Sequence, residues 1–259
     1  MTTPKDLFLE ERRQEILSRI KGAGRASVAD LSQQLGVSEV TIRTDLQALA
    51  EQKLVIRTHG GAIPAGSGRY DLALARRRQH QVQEKSRIGE ACAAMVSNGD
   101  AIFIDSSSTA LAMTPHLIGH RYLTVVTNSL SVAQALREAE GVRVVITGGT
   151  LRRETDSLLG VAGLEAVRQF NLQKGFFGAH GLNLPEGLTD VSAEEAEVKR
   201  VMVELCRQTI GVLDATKWGQ VGVASFARPD DIDIIITDRT APTELVERVS
   251  GAGVEVVLV

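Results

Sequence analysis

A short segment in the front third of the chain carries side chains that can read base edges and hold phosphates. Small hydroxyls, an arginine and an amide are groups that proteins place in the major groove of DNA. Here they lie on or beside the outer face of a predicted helix. The candidate DNA contacts are Ser38, Thr41, Arg43, Thr44 and Gln47. Because a solvated helix can carry the same residues, the neighbouring elements have to decide between the two interpretations.

Two short amphipathic helices that meet at a glycine turn would position these side chains. Ser27 precedes the first apolar position of one helix and Ser38 opens the next, as expected of helix N-caps. The helices meet at Gly36. In the second helix Ile42 and Leu46 are one turn apart, and Leu49 continues their buried face. A further helix is predicted before them, from about Leu7 to Lys21.

A small hairpin is predicted directly after these helices. Residues 53–63 form two β-prone runs around a Gly-Gly break. Arg57 and His59 would point from this hairpin towards the DNA backbone or the minor groove. Helix, glycine turn, helix and hairpin together predict a winged helix-turn-helix. Two alternatives stay open: Arg57 and His59 as ordinary exposed hairpin residues, and the winged helix as a protein-interaction module.

The rest of the chain alternates between predicted strands and helices. The strands are Ala101–Asp105, Leu123–Thr127, Val142–Thr147, Gly175–Ala179, Thr209–Asp214, Ile232–Thr237 and Val254–Val259. Helices fall between most of them, as in Thr109–Leu117, Ser129–Ala139 and Ala193–Cys206. This alternation predicts a doubly wound, mainly parallel α/β sheet. The fold class is therefore α/β, with a small N-terminal winged helix-turn-helix domain and a larger α/β domain.

Hydroxyls, glycines and cations follow several of these strands. Ligands bind at the carboxyl ends of parallel strands, where hydroxyls and backbone N–H groups hold anions and arginine or lysine supplies charge. The candidate effector contacts are Asp105, Ser107, Ser108, Thr109, Thr127, Asn128, Gly148, Gly149, Arg152, His180 and Lys217. In any one of these turns, a Ser or Thr after a strand is more often a helix cap than a ligand contact. The spacing fits neither a dinucleotide fingerprint nor a Walker loop, so a small anionic ligand is favoured.

Composition limits the class of protein. The chain has 259 residues, of which 43% are hydrophobic and 24% charged, as in globular proteins. No apolar run approaches the roughly 18 residues of a membrane span, and Met1–Asp6 lacks the pattern of a signal peptide. Cys92 and Cys206 are expected to be buried free thiols. We expect a cytoplasmic protein with no membrane partner.

Charge is divided unevenly along the chain. Residues 1–85 hold 14 Lys and Arg against 10 Asp and Glu, and residues 86–259 hold 15 against 22. The positive field therefore lies on the front third of the chain. A linker is predicted at 64–68. The basic run after it could follow DNA phosphates, line the junction between the domains or form a solvated face, and the junction is favoured for Arg77 and Lys85.

Several motifs together point to a known family. They are Arg12-x3-Ile16-x3-Ile20, Ser38-x2-Thr41-Ile42-Arg43, Asp45-Leu46 and the run from Arg57 to Ala62. In the second domain they are Lys85, 105–109, 127–128, 148–149, Gly160, 187–189 and 214–217. Over nearly its whole length the chain resembles the DeoR family of bacterial sugar-operon repressors. Thr44 departs from the family, whose members usually carry Lys, Arg, Asn, Gln or Ala at that position.

This resemblance implies a sensor domain that is similar in fold to ribose-5-phosphate isomerase and binds a phosphorylated sugar as inducer. Ser107 stands where many members carry Gly, and His180 where relatives commonly place Asp. We expect a repressor of a sugar or sugar-derivative catabolic operon, with double-stranded operator DNA and a phosphorylated sugar effector as partners. A homodimer or homotetramer is expected, with no catalytic residue, cofactor or metal.

The alternative function is a sugar-phosphate isomerase with a DNA-binding appendage. Its candidate bases are Glu194, Glu195 and Glu197, and Lys217 is its candidate electrophile. The helix over residues 193–200 is interpreted instead as a charged outer face with i, i+4 pairs. The expected domains are residues 1–62 for DNA binding, a linker at 63–74, and residues 75–259 for effector binding.

Overall fold

A computed structural model of the chain describes residues 9–23, 26–52, 54–58, 61–64 and 74–259. It divides into two units, Met1–Ala73 and Leu74–Val259. The predicted helix start at Leu7 and the predicted hairpin residue His59 lie outside the described residues.

Three helices and a small antiparallel sheet make up the described part of the first unit. In chain order they are α1 (Leu9–Ala23), β1 (Ala26–Ser27), α2 (Val28–Leu35), α3 (Glu39–Glu51), β2 (Val55–Thr58) and β3 (Gly61–Pro64). The strand order is β1-β3-β2, and Val55 pairs with Pro64 and Thr58 with Gly61. The predicted helix-turn-helix followed by a β-hairpin is confirmed.

Local signals fix the ends of α2 and α3. The Ser27 hydroxyl accepts the N–H of Asp30 at 3.0 Å, and the Ser38 hydroxyl accepts the N–H of Thr41 at 3.2 Å. Gly36 ends α2 in the left-handed region, at φ 67°, where glycine has no steric cost. The apolar stripes of the three helices meet in one core. Its fully buried members include Ile16, Ile20, Leu31, Leu35, Ile42 and Leu46.

The second unit alternates strands and helices around one large sheet. Its first half contains α4 (Leu74–Arg77), α5 (Val82–Ala94), β4 (Ala101–Ile104), α6 (Ser108–Leu111), β5 (Leu123–Thr127), α7 (Leu130–Ala135), β6 (Val142–Ile146), β7 (Thr150–Arg152) and β8 (Ser157–Leu159). Its second half contains β9 (Lys174–Phe177), β10 (Gly181–Asn183), β11 (Gly187–Asp190), α8 (Ala193–Leu205), β12 (Thr209–Val212), β13 (Ala224–Ala227), β14 (Ile234–Thr237), α9 (Thr243–Gly251) and β15 (Glu255–Leu258).

The large sheet has seven parallel strands in the order β15-β14-β12-β9-β4-β5-β6. Each of the seven strands predicted from the sequence is present in it, so the doubly wound parallel fold is confirmed. Core side chains cover both of its faces, with α5 and α7 on one side and α8 and α9 on the other. The chain leaves β4 towards β5 on one side and later returns to β9 on its other side. This reversal of direction lies between β4 and β9, and it creates the crevice in which open α/β sheets bind ligands.

Two predicted helices differ from the structure. The predicted helix Thr109–Leu117 is α6, which ends at Leu111, followed by a 3-10 turn at Thr114–His116. Pro115 explains the break, because proline lacks an N–H and disfavours helical backbone at the preceding residue. The predicted helix Ser129–Ala139 is the shorter α7. The sequence also gave no sign of the antiparallel sheet β10-β11-β13 or of the β7–β8 hairpin.

Several expected absences concern the described residues alone. Cys92 and Cys206 form no disulfide; Cys92 is buried as expected, whereas Cys206 is half-buried. Within the described ranges, no helix is both long and apolar enough to cross a membrane. No group of three or more His, Cys, Asp or Glu side chains placed to hold a metal occurs there either.

Candidate functional site

The outward face of α3 carries the predicted DNA contacts. Ser38, Arg43, Thr44 and Gln47 are exposed, and Thr41 is half-buried. The Ser38 and Thr41 hydroxyls lie 2.9 Å apart. Arg43 donates to Glu39 at 2.8 Å, and both side chains are about half exposed, so this pair holds the guanidinium only weakly. The structure thus places all five side chains around one helix face.

Neighbouring residues hold the rest of this surface. The Thr44 hydroxyl donates to the carbonyl of Val40 at 3.0 Å, and the Gln47 amide donates to Glu51 at 3.0 Å. Arg57 lies on β2, but its side chain is outside the described part of the structure, as is His59. The predicted hairpin contacts therefore stay predictions.

A buried carboxylate ties α3 to α1. Asp45 is only 1% exposed, and its oxygens accept from Nε of Arg12 at 2.6 Å and from Nε of Arg13 at 3.0 Å. The sequence analysis treated Arg12 and Asp45 only as family motif positions. Opposite charges 32 and 33 positions apart carry no local signal, so sequence reasoning did not find this contact.

In the second unit, Asp105 joins the ends of β4 and β9. It is fully buried; one carboxylate oxygen accepts the N–H of Ser107 at 2.9 Å and the other accepts the N–H of Gly178 at 2.9 Å. Its hydrogen-bonding capacity is directed into the protein. The side chain therefore positions the two turns at the crevice rather than facing a ligand.

Lys199 of α8 contacts both Asp105 and Gly178. Its ammonium donates to the Gly178 carbonyl at 2.7 Å and to Asp190 at 2.9 Å, and it lies 3.0 Å from the Asp105 carboxylate. Burial disfavours its charge, but Asp105, Asp190 and Glu195 outweigh burial and raise the pKa of Lys199. Despite desolvation, Lys199 also holds the pKa of Asp190 below its usual value.

The interpretation of residues 193–200 as a solvated outer face is wrong for two of its side chains. Glu195 and Lys199 are buried. Glu195 accepts from the Ser157 hydroxyl at 3.1 Å and lies 3.6 Å from Arg152. An i, i+4 Glu–Lys spacing looks the same on an exposed face and on a buried one. The sequence therefore could not show that this pair faces two other elements.

The hydroxyl turn after β4 lies at the crevice. The Ser107 hydroxyl caps α6 by accepting the N–H of Ala110 at 3.0 Å. Ser108 and Thr109 are buried, and their hydroxyls bond to no other described side chain or backbone group. Of the predicted effector contacts, Ser108 alone lines an open pocket of about 720 Å³ between α5, α6 and α7, together with Lys85. Two of the predicted hydroxyls therefore keep their hydrogen-bonding capacity for another molecule.

Three cations lie near one another beside this turn. The Lys85 ammonium donates to the carbonyls of Arg77 at 2.7 Å and His80 at 2.8 Å, which uses two of its three protons. Burial lowers the pKa of Lys85 to about 8; Lys217 and Arg77 also lower it, and Asp214 opposes them. Sequence reasoning assigned Arg77 and Lys85 to the domain junction, and the structure brings them to the candidate effector residue Lys217.

His180 belongs to the same neighbourhood. Partial removal from water and then Lys217 and Arg77 lower the pKa of His180, while Asp190 opposes them. The imidazole is therefore neutral at pH 7, and it can accept or donate a hydrogen bond without adding charge.

Buried polar atoms without a hydrogen-bond partner lie along the same edge of the sheet. Within the described residues, the atoms without a hydrogen-bond partner are Arg77 Nε, Asn128 Oδ1, Thr147 Oγ1 and Arg152 Nη1, of which Arg152 Nη1 lies 3.6 Å from Glu195 in an ion pair. Asn128 follows β5, Thr147 follows β6 and Arg152 lies on β7. Buried polar groups in folded proteins are nearly always paired, by protein, water or ligand. Thr147 belongs to the turn after β6 that carries the predicted contacts Gly148 and Gly149; it is one of the hydroxyls that follow a strand in the sequence, but it is not among the candidate contacts.

Other predicted site residues have roles within the protein. Thr127 donates to the Ile104 carbonyl at 2.6 Å and accepts the N–H of Ser129 at 3.0 Å. Gly149 has φ 122°, and a Cβ there would lie 2.1 Å from the Leu159 carbonyl oxygen. A Cβ on Gly163 would lie 2.2 Å from the backbone of Gly148. Close backbone contact is thus enough to require glycine at these positions.

Comparison with known proteins agrees with this division into two parts. Residues 12–67 match the DeoR-like helix-turn-helix domain, and residues 80–239 match the DeoR C-terminal sensor domain. The HTH-type transcriptional regulator GolR of Listeria innocua is 33% identical over 96% of this chain and 98% of its own length. The glycerol-3-phosphate regulon repressor of Escherichia coli is 33% identical over 92% of this chain and 94% of its own.

Among solved structures, ribose 5-phosphate isomerase A from Neisseria gonorrhoeae is similar over 52% of each chain, with 15% identity and a TM-score of 0.39. This likeness is too low to carry a conclusion about activity. The family matches cover both units, and the similar regulators extend over nearly the full length of the chain. The chain belongs to the DeoR family of transcriptional regulators.

Proposed function

We propose that this protein is a repressor of an operon for the catabolism of a sugar or sugar derivative, and that a phosphorylated sugar bound to the second unit controls its binding to operator DNA. Membership of the family supports the general role. The name of the E. coli relative, a glycerol-3-phosphate regulon repressor, supports a phosphorylated metabolite as the signal.

The observation that carries the effector site is the group of buried polar atoms without a hydrogen-bond partner at the carboxyl edge of the sheet. Arg77, Lys85 and Lys217 lie near one another; of the acids around them, Asp190 is bonded to Lys199, and Asp214 opposes the lowering of the Lys85 pKa. A phosphate monoester carries a charge of about −1.5 to −2 at neutral pH and accepts several hydrogen bonds. Together with Asp214, it would compensate the charge of the three cations.

The hydroxyl-bearing part of the effector would lie further along the same edge. Asn128 Oδ1 requires a donor, and Thr147 Oγ1 can use a donor or an acceptor. Arg152 Nη1 is ion-paired with Glu195 at 3.6 Å and can still donate a hydrogen bond. A sugar hydroxyl is both donor and acceptor. The phosphate group of a sugar phosphate therefore matches the cations of the site, and its sugar hydroxyls match the polar atoms without a hydrogen-bond partner.

DNA binding is assigned to residues 1–62, with a linker at 63–74 and the effector domain at 75–259. The exposed face of α3 would enter the major groove, as the second helix of a helix-turn-helix does. One such helix reads few base pairs, so we propose a homodimer or homotetramer that presents several copies of α3. The effector controls the repressor if it binds unequally to the DNA-competent and DNA-incompetent states.

We propose no catalytic activity, cofactor or metal, and a cytoplasmic location. The carboxylate of Glu195, the candidate base of the isomerase alternative, is buried beside Ser157 and Arg152. Glu195 is therefore held by the protein rather than presented to a substrate. Absence of turnover of ribose 5-phosphate by the pure protein would agree with this assignment.

A thermal-shift screen of the full chain tests the effector site. Phosphorylated sugars and glycerol 3-phosphate form the panel, with the unphosphorylated compounds and inorganic phosphate as controls. A ligand at one hundred times its Kd adds about 2.7 kcal/mol to apparent stability. Lys217→Ala should abolish the shift. Lys174→Ala, at the amino end of β9 and paired with Asp100, should keep it. No shift with any phosphorylated compound would contradict the proposal.

Binding to promoter fragments tests the DNA half. Arg43→Ala should weaken binding while the effector-induced thermal shift stays the same. Binding of the wild type should also fall steeply with salt, because phosphate contacts release counterions. Unchanged DNA binding in Arg43→Ala would mean that α3 is the wrong element.

A further inference from the structure

The exposed face of α3 contains an apolar residue that the proposed function leaves unused. Val40 is the second residue of the helix and is 69% exposed. The other side chains around it are polar. In a helix-turn-helix, the N-terminal residues of this helix are the ones that reach base edges.

Thr44, one turn after Val40, presents the same chemistry. Its hydroxyl donates to the Val40 carbonyl at 3.0 Å, so the polar end of the side chain is turned back onto the helix. The methyl group is then the free end of an exposed side chain. Residues four apart on a helix have Cβ atoms about 5–6 Å apart. Val40 and Thr44 therefore form a short methyl-bearing strip on α3.

Methyl groups have one counterpart in the major groove. Thymine alone of the four bases carries a C5-methyl group there, and apolar side chains recognise it by contact. The spacing of the strip corresponds to one or two base-pair steps of about 3.4 Å each. The two methyl contacts would therefore fall on thymines that are neighbours or separated by one base pair.

We propose that Val40 and Thr44 specify thymines in each operator half-site by contact with their C5-methyl groups. This inference rests on the proposed DNA-binding function. It assigns a selective role to Thr44, the position at which this chain departs from the usual residues of its family, and to Val40, which the sequence analysis did not consider.

The test uses operator duplexes in which single thymines are replaced by deoxyuridine, which lacks only the methyl group. The duplexes are those that the full-length protein selects from a random library. At one or two thymines in each half-site, uracil should weaken binding by about fourfold, the ratio expected for removing one buried methyl group. Uracil at other positions should have no effect.

Protein variants assign each thymine to a side chain. In Val40→Ala, uracil at one of the sensitive positions should no longer weaken binding, and alanine there favours the helix. Thr44→Ser removes the methyl group and keeps the hydroxyl, so it should lose sensitivity at the second position. Thr44→Val keeps the methyl and should retain it. Val223→Ala, which changes a 79% exposed valine of the second unit, is the matched control.

Three outcomes are distinguishable. Uracil effects that are lost only in the α3 variants support the inference. Uracil effects that are absent, or equal in wild type and Val40→Ala, overturn it, while salt-sensitive binding of the thymine duplex keeps the proposed function. Failure of the wild-type protein to enrich any duplex overturns the proposed function itself, and the inference with it.

Discussion

The two units contain buried ion clusters of opposite design. In the first unit one carboxylate, Asp45, holds two arginines that are 15% and 17% exposed. In the second, one ammonium, Lys199, holds the carboxylates of Asp105 and Asp190, and all three groups are buried. Each central group joins elements that are far apart in the sequence, but the surplus charge is positive in one unit and negative in the other.

The difference follows the partner proposed for each unit. In the proposed DNA-binding unit, the surplus positive charge of Arg12 and Arg13 stays partly in contact with water, where it favours the binding of a polyanion. In the sensor unit Lys199 binds Asp105 and Asp190, and Asp214 is the acid that opposes the three cations at the crevice (the rim cations). Arg77, Lys85 and Lys217 are left to attract an anion. The clusters therefore do more than join elements, because they also decide which charges remain available.

The largest effect is expected for Lys199→Met. It leaves Asp105 and Asp190 buried without a cation, and loss of one partner of a buried ion cluster costs about 3–5 kcal/mol. Urea unfolding of the second unit at pH 7 measures the loss. Because the pKa of Asp190 is lowered in the wild type, the stability that this carboxylate contributes is lost as the pH falls. The difference between wild type and variant should therefore narrow in acid. Lys199→Arg, which keeps the charge, should fold and recover part of the stability.

A smaller loss is expected for Asp45→Asn. The arginines it releases have long side chains that already reach water, so they can turn outward. Loss of hydrogen bonds to a charged group then costs about 1.5–3 kcal/mol. Hydrogen exchange of the α1 and α3 amides reports the stability of the first unit separately. A loss as large as that of Lys199→Met would break the contrast between the two clusters.

We expect the affinity for the effector to fall about tenfold between pH 7 and pH 9, because one of the rim cations, Lys85, loses its charge over this range. Burial lowers the pKa of Lys85 to about 8, so this ammonium loses its proton between pH 7 and 9. The phosphate group is already a dianion above its second pKa of about 6. Affinity for the phosphorylated effector should therefore fall across this range, and titration calorimetry should show proton uptake on binding near pH 8. Lys85→Arg, which stays charged, should bind equally well at pH 7 and pH 9.

The smallest effect on stability is expected for Arg43→Ala. The Arg43–Glu39 pair is about half exposed on both sides, and such pairs contribute less than about 1 kcal/mol. The free energy of unfolding measured in urea should change by no more than about 0.5 kcal/mol. A larger loss would place Arg43 among the groups that hold the first unit together, and its effect on DNA binding would then be indirect.

Features with local signals could be predicted from the sequence. Ser27, Gly36 and Ser38 fix the helix ends through atoms within four residues, and β-branched runs such as Ile234–Thr237 mark buried strands without further context. The helix predicted over Thr109–Leu117 failed for an equally local reason, because the effect of Pro115 was not weighed.

The buried ion clusters and the rim cations could not be predicted in this way. Lys199 meets Asp105 only because α8 packs beneath β4 and β9, and nothing within ten residues of either indicates the contact. Arg77 and Lys85 form a basic run that is equally suited to a junction or a site. In the structure the Lys85 ammonium bonds to the Arg77 carbonyl and lies in the field of Lys217, an arrangement that the basic run does not indicate. The candidate site thus depends on topology, which residue spacing does not encode.

The backbone contact between Gly148 and Gly163 has a consequence for mapping the sensor by mutational scanning. A side chain at Gly163 would meet the Gly148 backbone at 2.2 Å and push apart the segments on both sides of the β7–β8 hairpin, whereas one at Gly148 would lie 3.2 Å from the Gly163 Cα and force a smaller shift. Arg152 would move with the hairpin, although neither glycine need touch a metabolite. A scan scored on gene induction would rank both glycines with the residues that bind the inducer. A parallel scan scored on protein abundance would separate the two groups, because the glycine variants should lower abundance and a variant such as Lys217→Ala should not.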